Sequence, residues 1–470
     1  MTNREREKRR RQREKQVRRQ MLALLVAICA ILFIVLFAVS RSSLLRKSGN
    51  ETAGTAGAPA DPGAGTVSGT VESTAAASTE TQAASQGETP AAVPTPTPEP
   101  APLVTEGSVD SDGTIHFVND PSYSEKITIL GTGDNLIHEA LFLDAQTEDG
   151  GYDFTPMYAR VKPYIQAADI ATVNQETPLA TAIGSASGYP HFNSPTEVGD
   201  ALIDAGFDIF NLANNHVLDM GQDGLYATLD YWDSVGAPYF GAYRGSEDRS
   251  NIRIIEKNGI RVAFLGFVNW TNVDPTEDAN YQLVWIDEEY SVENFIRQAK
   301  EEADIVVVYA HWGEENENII TDQMSDMAQK MVNWGADVVF GDHTHVLQKI
   351  TVLQRESDGA LCAVQFCGGN FISGQKERAH LLSVLTTAEF GKNPETGKVA
   401  LTGMTALPLV THYIGDRTDV CIYPLDDYTE ELAESNGVKQ FENETMTLDY
   451  MWDLVHAEIP DQLLVHAETQ

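Results

Sequence analysis

The sequence predicts an α/β domain, and three observations predict it. From about Lys126 short apolar, β-branched runs alternate with amphipathic helical stretches, glycines stand where those helices should stop, and polar residues cluster directly behind the strand candidates.

The alternation is regular. Strand candidates are Ile127–Leu130, Ile170–Val173, Ile209–Leu212, Val262–Phe267, Ile305–Tyr309 and Val338–Phe340, with helices near Met157–Gln166, Thr196–Ala205, Leu225–Val235, Val292–Glu302 and Asp322–Trp334. Gly206, Gly236 and Gly335 follow three of these helices as stop signals. After Gln348 come strand-like runs at Ile350–Leu353, Ala363–Phe366 and Leu381–Thr386. Residues 126–374 are thus expected to be the main domain, and 375–470 an extension that completes the sheet and ends in a polar, acidic tail.

The part before the domain reads differently. Residues 1–20 hold ten Arg or Lys against three Glu, and the next nineteen, Met21 to Val39, are uncharged and apolar. A helix of that length rises roughly 28 Å at ~1.5 Å per residue, enough to cross a bilayer core. The alternative is a cleaved signal peptide, for which Ala38-Val39-Ser40 offers a site, but such apolar regions usually run only ~7–15 residues. The basic excess before the span places the N-terminus in the cytoplasm and the bulk of the chain outside the cell. Residues 40–105 are expected to be a disordered tether: from Ser48 to Leu103 there is no Lys, Arg or aromatic side chain, so little can be buried. Its coil dimension is roughly 40 Å, with a stiffer Pro94–Pro100 end.

Beyond residue 47 the chain carries 19 basic against 66 acidic residues. Such a surface repels nucleic acid, and an anionic substrate needs a local positive centre. Cys29 lies in the expected span and Cys362, Cys367 and Cys421 form an odd external set, so no disulfide framework is expected.

Five strand candidates end in chemistry. The first is followed by Gly131-Thr-Gly-Asp134-Asn135, the second by Asn174-Gln-Glu176, and the third runs into Asn211-Leu-Ala-Asn214-Asn215-His216 with Asp219 close behind. The last two lead to His311-Trp312-Gly-Glu314 and Gly341-Asp342-His343-Thr-His345. Open α/β sheets place ligand crevices at such ends. Side by side, these strands would bring carboxylates, an amide and imidazoles together, a donor set suited to divalent Mn, Zn or Fe, one or two ions, with Glu176 as the bridge between a pair. Blander readings stand beside this one. An H-x-H pair can serve packing, the Asn214-Asn215-His216 run can be an Asn-rich turn, and Glu314 and Glu315 can begin a solvated acidic face. Gly131-x-Gly133 is no dinucleotide fingerprint, since Leu136 holds the third glycine position, and no Walker or G-x-S-x-G motif occurs.

Gly133-Asp134, Asn174-x-Glu176, the run Leu212–Gly221, His311-Trp-Gly313 and Gly341-x-His-x-His-x-x-Gln348 resemble the successive motifs of the CapA family, over about Lys126 to Gly374. The resemblance implies a calcineurin-like metallophosphoesterase fold, a four-layer α/β/β/α sandwich, and a role in making, exporting or anchoring poly-γ-glutamate or a similar capsule polymer at the membrane. By that pattern Asp134 and His345 bind a first ion, Glu176 bridges, Asn215, His311 and His343 hold a second, and His216 is the catalytic or phosphate-orienting imidazole. Asn135, Asn174, Asn214, Asp219, Trp312, Glu314 and Gln348 fall around the ligands or the substrate. One position departs: the pattern wants a His two places after the first Asp, and Leu136 stands there, with His138 as a conceivable substitute. Two functions follow as expectations. One is a metal-dependent hydrolase or transferase acting on a phosphate ester or an amide-linked acidic polymer. The other is a non-catalytic scaffold that anchors polymer or membrane synthase subunits.

Overall fold

The computed structural model describes residues 107–276, 282–442 and 445–467. The basic segment 1–20, the span expected at 21–39 and the tether 40–105 lie outside the described residues. Among those described, no helix is long and apolar enough to cross a membrane.

An eight-stranded sheet runs in the order Thr418–Pro424, Val399–Ile414, Leu382–Lys392, Glu125–Leu136, Ile170–Gln175, Ile209–Asn211, Tyr239–Phe240, with Ile372–Ser373 added beside Glu125–Leu136. A six-stranded sheet runs Ile350–Gln354, Leu361–Gln365, Val338–Asp342, Ile305–His311, Ile260–Val268, Arg253–Lys257. In each, the strands that bear chemistry are parallel; antiparallel strands close both edges of the six-stranded sheet and one edge of the eight-stranded sheet, whose other edge, Tyr239–Phe240, is parallel.

The two sheets face each other. Along Ile305–His311 the odd residues Ile305, Val307 and Tyr309 join the core between the sheets, while Val306, Val308 and Ala310 pack under the helices Glu289–Glu302 and Asp322–Trp334. A strand buried on both faces needs an unbroken apolar run, which explains why this segment shows no alternation in the sequence. The register does the same sorting in the other sheet. Phe240 faces Phe264 and Tyr309 across the gap, whereas Phe210, level with Tyr239 rather than Phe240, turns outward and stacks on Trp232 of helix Gly221–Val235 at 4.1 Å.

Gly131 shows how tight that gap is. A Cβ at this position would lie 2.4 Å from the Phe340 ring of the opposite sheet. Gly131→Ala is therefore expected to cost about 1–3 kcal/mol, measurable by chemical denaturation, because a packed core resists an added methyl group.

The expected helix stops hold: Gly206, Gly236 and Gly335 all have positive φ, at 113°, 68° and 128°. Two expectations change. The single helix at Met157–Gln166 is two short ones, Thr155–Tyr158 and Lys162–Gln166, because Pro156 and Pro163 each suit only a first helical turn. Gly131–Asn135 is not a loop behind a strand but part of Glu125–Leu136, whose pairing with Ile170–Gln175 shifts register between Gly131 and Asp134. The extension 375–470 contributes the sixteen-residue strand Val399–Ile414 to the larger sheet and the helix Leu448–Glu458, which buries Met451 and Val455. Cys362, Cys367 and Cys421 are free thiols.

Candidate metal centre

Register brings the polar strand ends level. Asp134, Asn174 and Asn211 form one row across the eight-stranded sheet, and Val268, His311 and Asp342 form one row across the six-stranded sheet. Since the sheets face each other, the two rows and the loops leaving them enclose one crevice.

Asp134, Glu176, Asn215, His311, His343 and His345 come together there, all buried. His311 Nε2 lies 3.0 Å from Asn215 Oδ1, 3.2 Å from His343 Nδ1 and 3.8 Å from Glu176 Oε1. His345 Nδ1 lies 3.1 Å from Asp134 Oδ2, and its Nε2 is 3.9 Å from Glu176 Oε1. Two donors on one ion, each at about 2.1 Å, stand no more than about 4.2 Å apart, so these separations suit shared cations. Two adjacent donor sets emerge, Glu176 with His311 and His343, and Asp134 with Glu176 and His345, and Glu176 belongs to both.

The polar atoms fit the same picture. Both oxygens of Glu176, both of Asp342, Nδ1 of His311 and Nε2 of His343 are buried without a hydrogen-bond partner. Burying such atoms unpaired is costly, and divalent cations would satisfy the ones that face the donor sets. Burial first, then the neighbouring Asp134 and Asp342 charges, push the Glu176 carboxyl well above the usual range, and burial with Asp134 does the same to Asp342. Burial pushes the His311 imidazole down to about 3, and burial with His311 and His345 lowers His343 well below its ordinary value. Neutral imidazoles keep the lone pairs that bind metal, and a cation would favour the charged form of the carboxyls. Asp134 goes the other way: despite burial, the hydrogen bond from His345 leads a set of interactions that hold it below the usual carboxylate range.

Backbone geometry aims the imidazoles. The strand ends at Asp342, so His343 and His345 are not alternate strand residues; they sit in the turn beyond it, at φ of 94° and 60°. Left-handed backbone at a bulky residue is strained and persists where surroundings impose it. Here the His343 N–H donates to Asp134 Oδ2 at 3.2 Å. Gly133 allows the chain to close on the site from below: a Cβ there would meet the Gly369 carbonyl oxygen at 1.8 Å, and that same oxygen accepts the Asp134 N–H.

His216 is held beside the centre. Its Nδ1 is 2.7 Å from Asp219 Oδ2, its N–H donates to Asn214 Oδ1, and its ring meets the Phe192 ring edge-on at 4.7 Å. Asp219 Oδ2 also accepts the Phe192 N–H, so one carboxylate sets both rings.

The remaining expected residues divide. Asn174 donates to Asp134 Oδ1 at 2.8 Å and accepts from Asn211 and Asn214, a chain of amides beneath the ligands. Asn135 instead bonds Gln175 and Tyr158. Trp312 donates to the Phe366 carbonyl, and Gln348 to the carbonyls of Glu317 and Ile319, which holds the loop over the site. Glu314 is exposed, while its neighbour Glu315 offers an oxygen near His343 and His345. His138 takes the Gly374 N–H on Nδ1 and joins none of the donor groups among the described residues, and Leu136 is buried in its strand.

Four contributors escaped the sequence reading. Asp342 is in a donor group with Asp134 and His311, although its place between Gly341 and His343 was visible. Asn370 contacts His345 Nδ1 at 3.0 Å from a loop with no motif around it. Trp270 meets the His343 ring edge-on at 4.5 Å, and the Asn272 amide lies 3.2 Å from His216 Nδ1. Both follow the strand Ile260–Val268 directly, a sixth polar strand end.

Comparison with known proteins gives a consistent result. Residues 128–375 match the family model described as bacterial capsule synthesis protein PGA_cap. The capsule biosynthesis protein CapA of Bacillus anthracis is 30% identical over 267 residues, 54% of this chain and 61% of that protein. The PGA biosynthesis protein CapA of Bacillus subtilis (strain 168) is 30% identical over 264 residues, 56% of this chain and 67% of that protein. The match thus spans about two thirds or less of these relatives' length. Among solved structures, a 5'-nucleotidase precursor from Thermus thermophilus aligns with a TM-score of 0.37 at 14% identity, covering 60% of this chain and 54% of that one.

Proposed function

The chain belongs to the bacterial capsule synthesis protein family PGA_cap, and on that footing we propose that it works in capsule synthesis, export or anchoring as a metal-dependent hydrolase or transferase. Its substrate is a phosphate ester or an amide-linked acidic polymer such as poly-γ-glutamate. The domain, a calcineurin-like metallophosphoesterase sandwich in this reading, stands outside the cell on the tether, fixed to the membrane by Met21–Val39. The observation that carries the proposal is the pair of donor sets sharing Glu176, whose two buried oxygens have no protein partner.

Asp134, Glu176 and His345 would hold one ion, and Glu176, Asn215, His311 and His343 the other, with Mn, Zn or Fe the metals that suit this mixture of oxygen and nitrogen donors. Bound there, the ions supply Lewis acidity and a nucleophile drawn from water at neutral pH. The chain's own residues do the rest. Asp219 fixes the His216 ring through Nδ1, leaving Nε2 to hold or pass a proton at a substrate oxygen. Phe192 and Trp270 line the crevice with aromatic surface that limits water around the imidazoles. A local cationic centre also answers how a strongly acidic exterior captures an anionic substrate.

The test is elemental analysis of the purified full chain together with turnover of a phosphodiester probe and of γ-linked glutamate polymer. One or two bound transition metals and metal-dependent turnover of either substrate are expected; a protein that takes up no metal refutes the proposal. One observation favours a non-catalytic scaffold instead: Leu136, buried, gives no donor where the phosphoesterase pattern has His. That second reading expects metal without turnover, and capture of membrane synthase subunits that survives His216→Ala and His345→Ala.

A further inference from the structure

We propose that Asn272 is a positioning residue that ties the His216 imidazole to one donor set, that of Glu176, Asn215, His311 and His343, and that Trp270 in the same segment fixes the plane of His343. The inference rests on the metal reading above and assigns work to a segment that reading leaves unused.

Strand Ile260–Val268 lies parallel to Ile305–His311 with Val268 level with His311, so residues 269–272 leave the sheet at the height of the ligands. Their contacts with the ligand residues go to one side of the crevice. The Asn269 N–H donates to the His311 carbonyl at 3.1 Å, and the Asn272 N–H to the Asn215 carbonyl at 2.8 Å. The Trp270 and His343 rings meet at 90°. None of these contacts reaches Asp134 or His345.

The side chain of Asn272 adds a directional constraint. Asp219 holds Nδ1 of His216 at 2.7 Å, and the Asn272 Nδ2 lies against the same ring, 3.2 Å from Nδ1 and 3.4 Å from Nε2. On its other side, Asn272 Oδ1 faces the Asn215 Nδ2 donor at 3.5 Å. An amide has one oxygen and one nitrogen, so engaging the Asn215 nitrogen turns Asn215 Oδ1 towards His311, where it lies 3.0 Å from Nε2. Asn272 therefore selects which end of the Asn215 amide a cation meets. It also keeps His216 in register with that cation. Without it, Asn215 is free to flip and present a nitrogen that cannot ligate.

The test uses the full chain in detergent micelles, with Co²⁺ as the probe, following its visible absorption and the tryptophan emission. Wild type is expected to bind two ions; if it binds one, an affinity unchanged in Asn272→Ala overturns the inference and a loss of about tenfold supports it. Asn272→Ala should weaken one of them by about tenfold or more, the scale of losing a group that orients a ligand, and leave the other within about twofold. Asn272→Asp, which keeps an oxygen for the Asn215 nitrogen, should recover most of the loss. Equal weakening of both ions, or none, overturns the inference and leaves the metal reading intact, while no Co²⁺ uptake by wild type overturns both. If circular dichroism shows Asn272→Ala to be misfolded, Trp270→Phe decides: a shifted Co²⁺ spectrum at unchanged stoichiometry is expected, and an unshifted spectrum counts against the proposal.

Discussion

Glu176→Gln is expected to abolish the binding of both ions, lowering affinity at each donor set by at least about 100-fold, while the metal-free protein stays as stable as wild type or gains stability. Glu176 is the member common to both sets, with Oε1 3.8 Å from His311 and 3.9 Å from His345. Gln has the same shape, carries no charge and offers one ligating oxygen instead of two. In the absence of a cation burial, and then the neighbouring Asp134 and Asp342 charges, disfavour the charged form of Glu176, so replacing the carboxyl with a neutral amide relieves rather than adds unfavourable charge. The two effects separate in one experiment. Thermal or chemical unfolding with and without metal should show wild type gaining about 2.7 kcal/mol per bound ion at a metal concentration 100 times Kd, and the variant gaining less than about 0.5 kcal/mol per site. A variant that still binds two ions would remove the shared-bridge geometry from the account.

His216→Ala should leave metal content unchanged and reduce turnover by about 10²- to 10⁴-fold, the usual contribution of a placed acid or base. The imidazole lies outside every donor group among the described residues, so its removal takes no ligand from a cation. Asp219→Asn should lower kcat with little change in KM, because an amide no longer enforces the ring state that Oδ2 holds at 2.7 Å. Single-turnover and steady-state kinetics on the phosphodiester probe separate these cases. Equal turnover in wild type and His216→Ala would transfer the proton-handling role to another group.

Much of the site is legible because its residues are tied to strand ends, and strand ends are visible in sequence as apolar β-branched runs. Asp134, Glu176, Asn215, His311, His343 and His345 each stand within a few residues of such a run. Asp342 and Asn272 satisfy the same criterion without a motif that marks them: Asp342 sits within the strand, at its last residue, and the run Asn269–Asn272 contains neither His nor carboxylate. Asn370 is different. It meets His345 only because the chain between Leu361–Gln365 and Leu382–Lys392 doubles back over the crevice, and no local pattern records that path. Glu314 and Glu315 show the limit at single-residue scale, since a turn decides which of two adjacent exposed carboxylates reaches the imidazoles, and here it is Glu315.

Composition and periodicity by themselves determined the α/β class, the position of the inner strands and most of the residues that face the crevice, because burial on one or both faces of a strand leaves a local apolar signature. The low-complexity region before the domain and its acidic exterior were equally plain in the sequence. Only the tertiary structure decided that two sheets oppose each other, that Val399–Ile414 pairs between Leu382–Lys392 and Thr418–Pro424 in the larger sheet, and that Glu176 stands between two donor sets. Those outcomes depend on pairings between residues far apart in the chain. The energy of such pairings comes from surfaces that exist only once both partners are folded, so no window of sequence contains it.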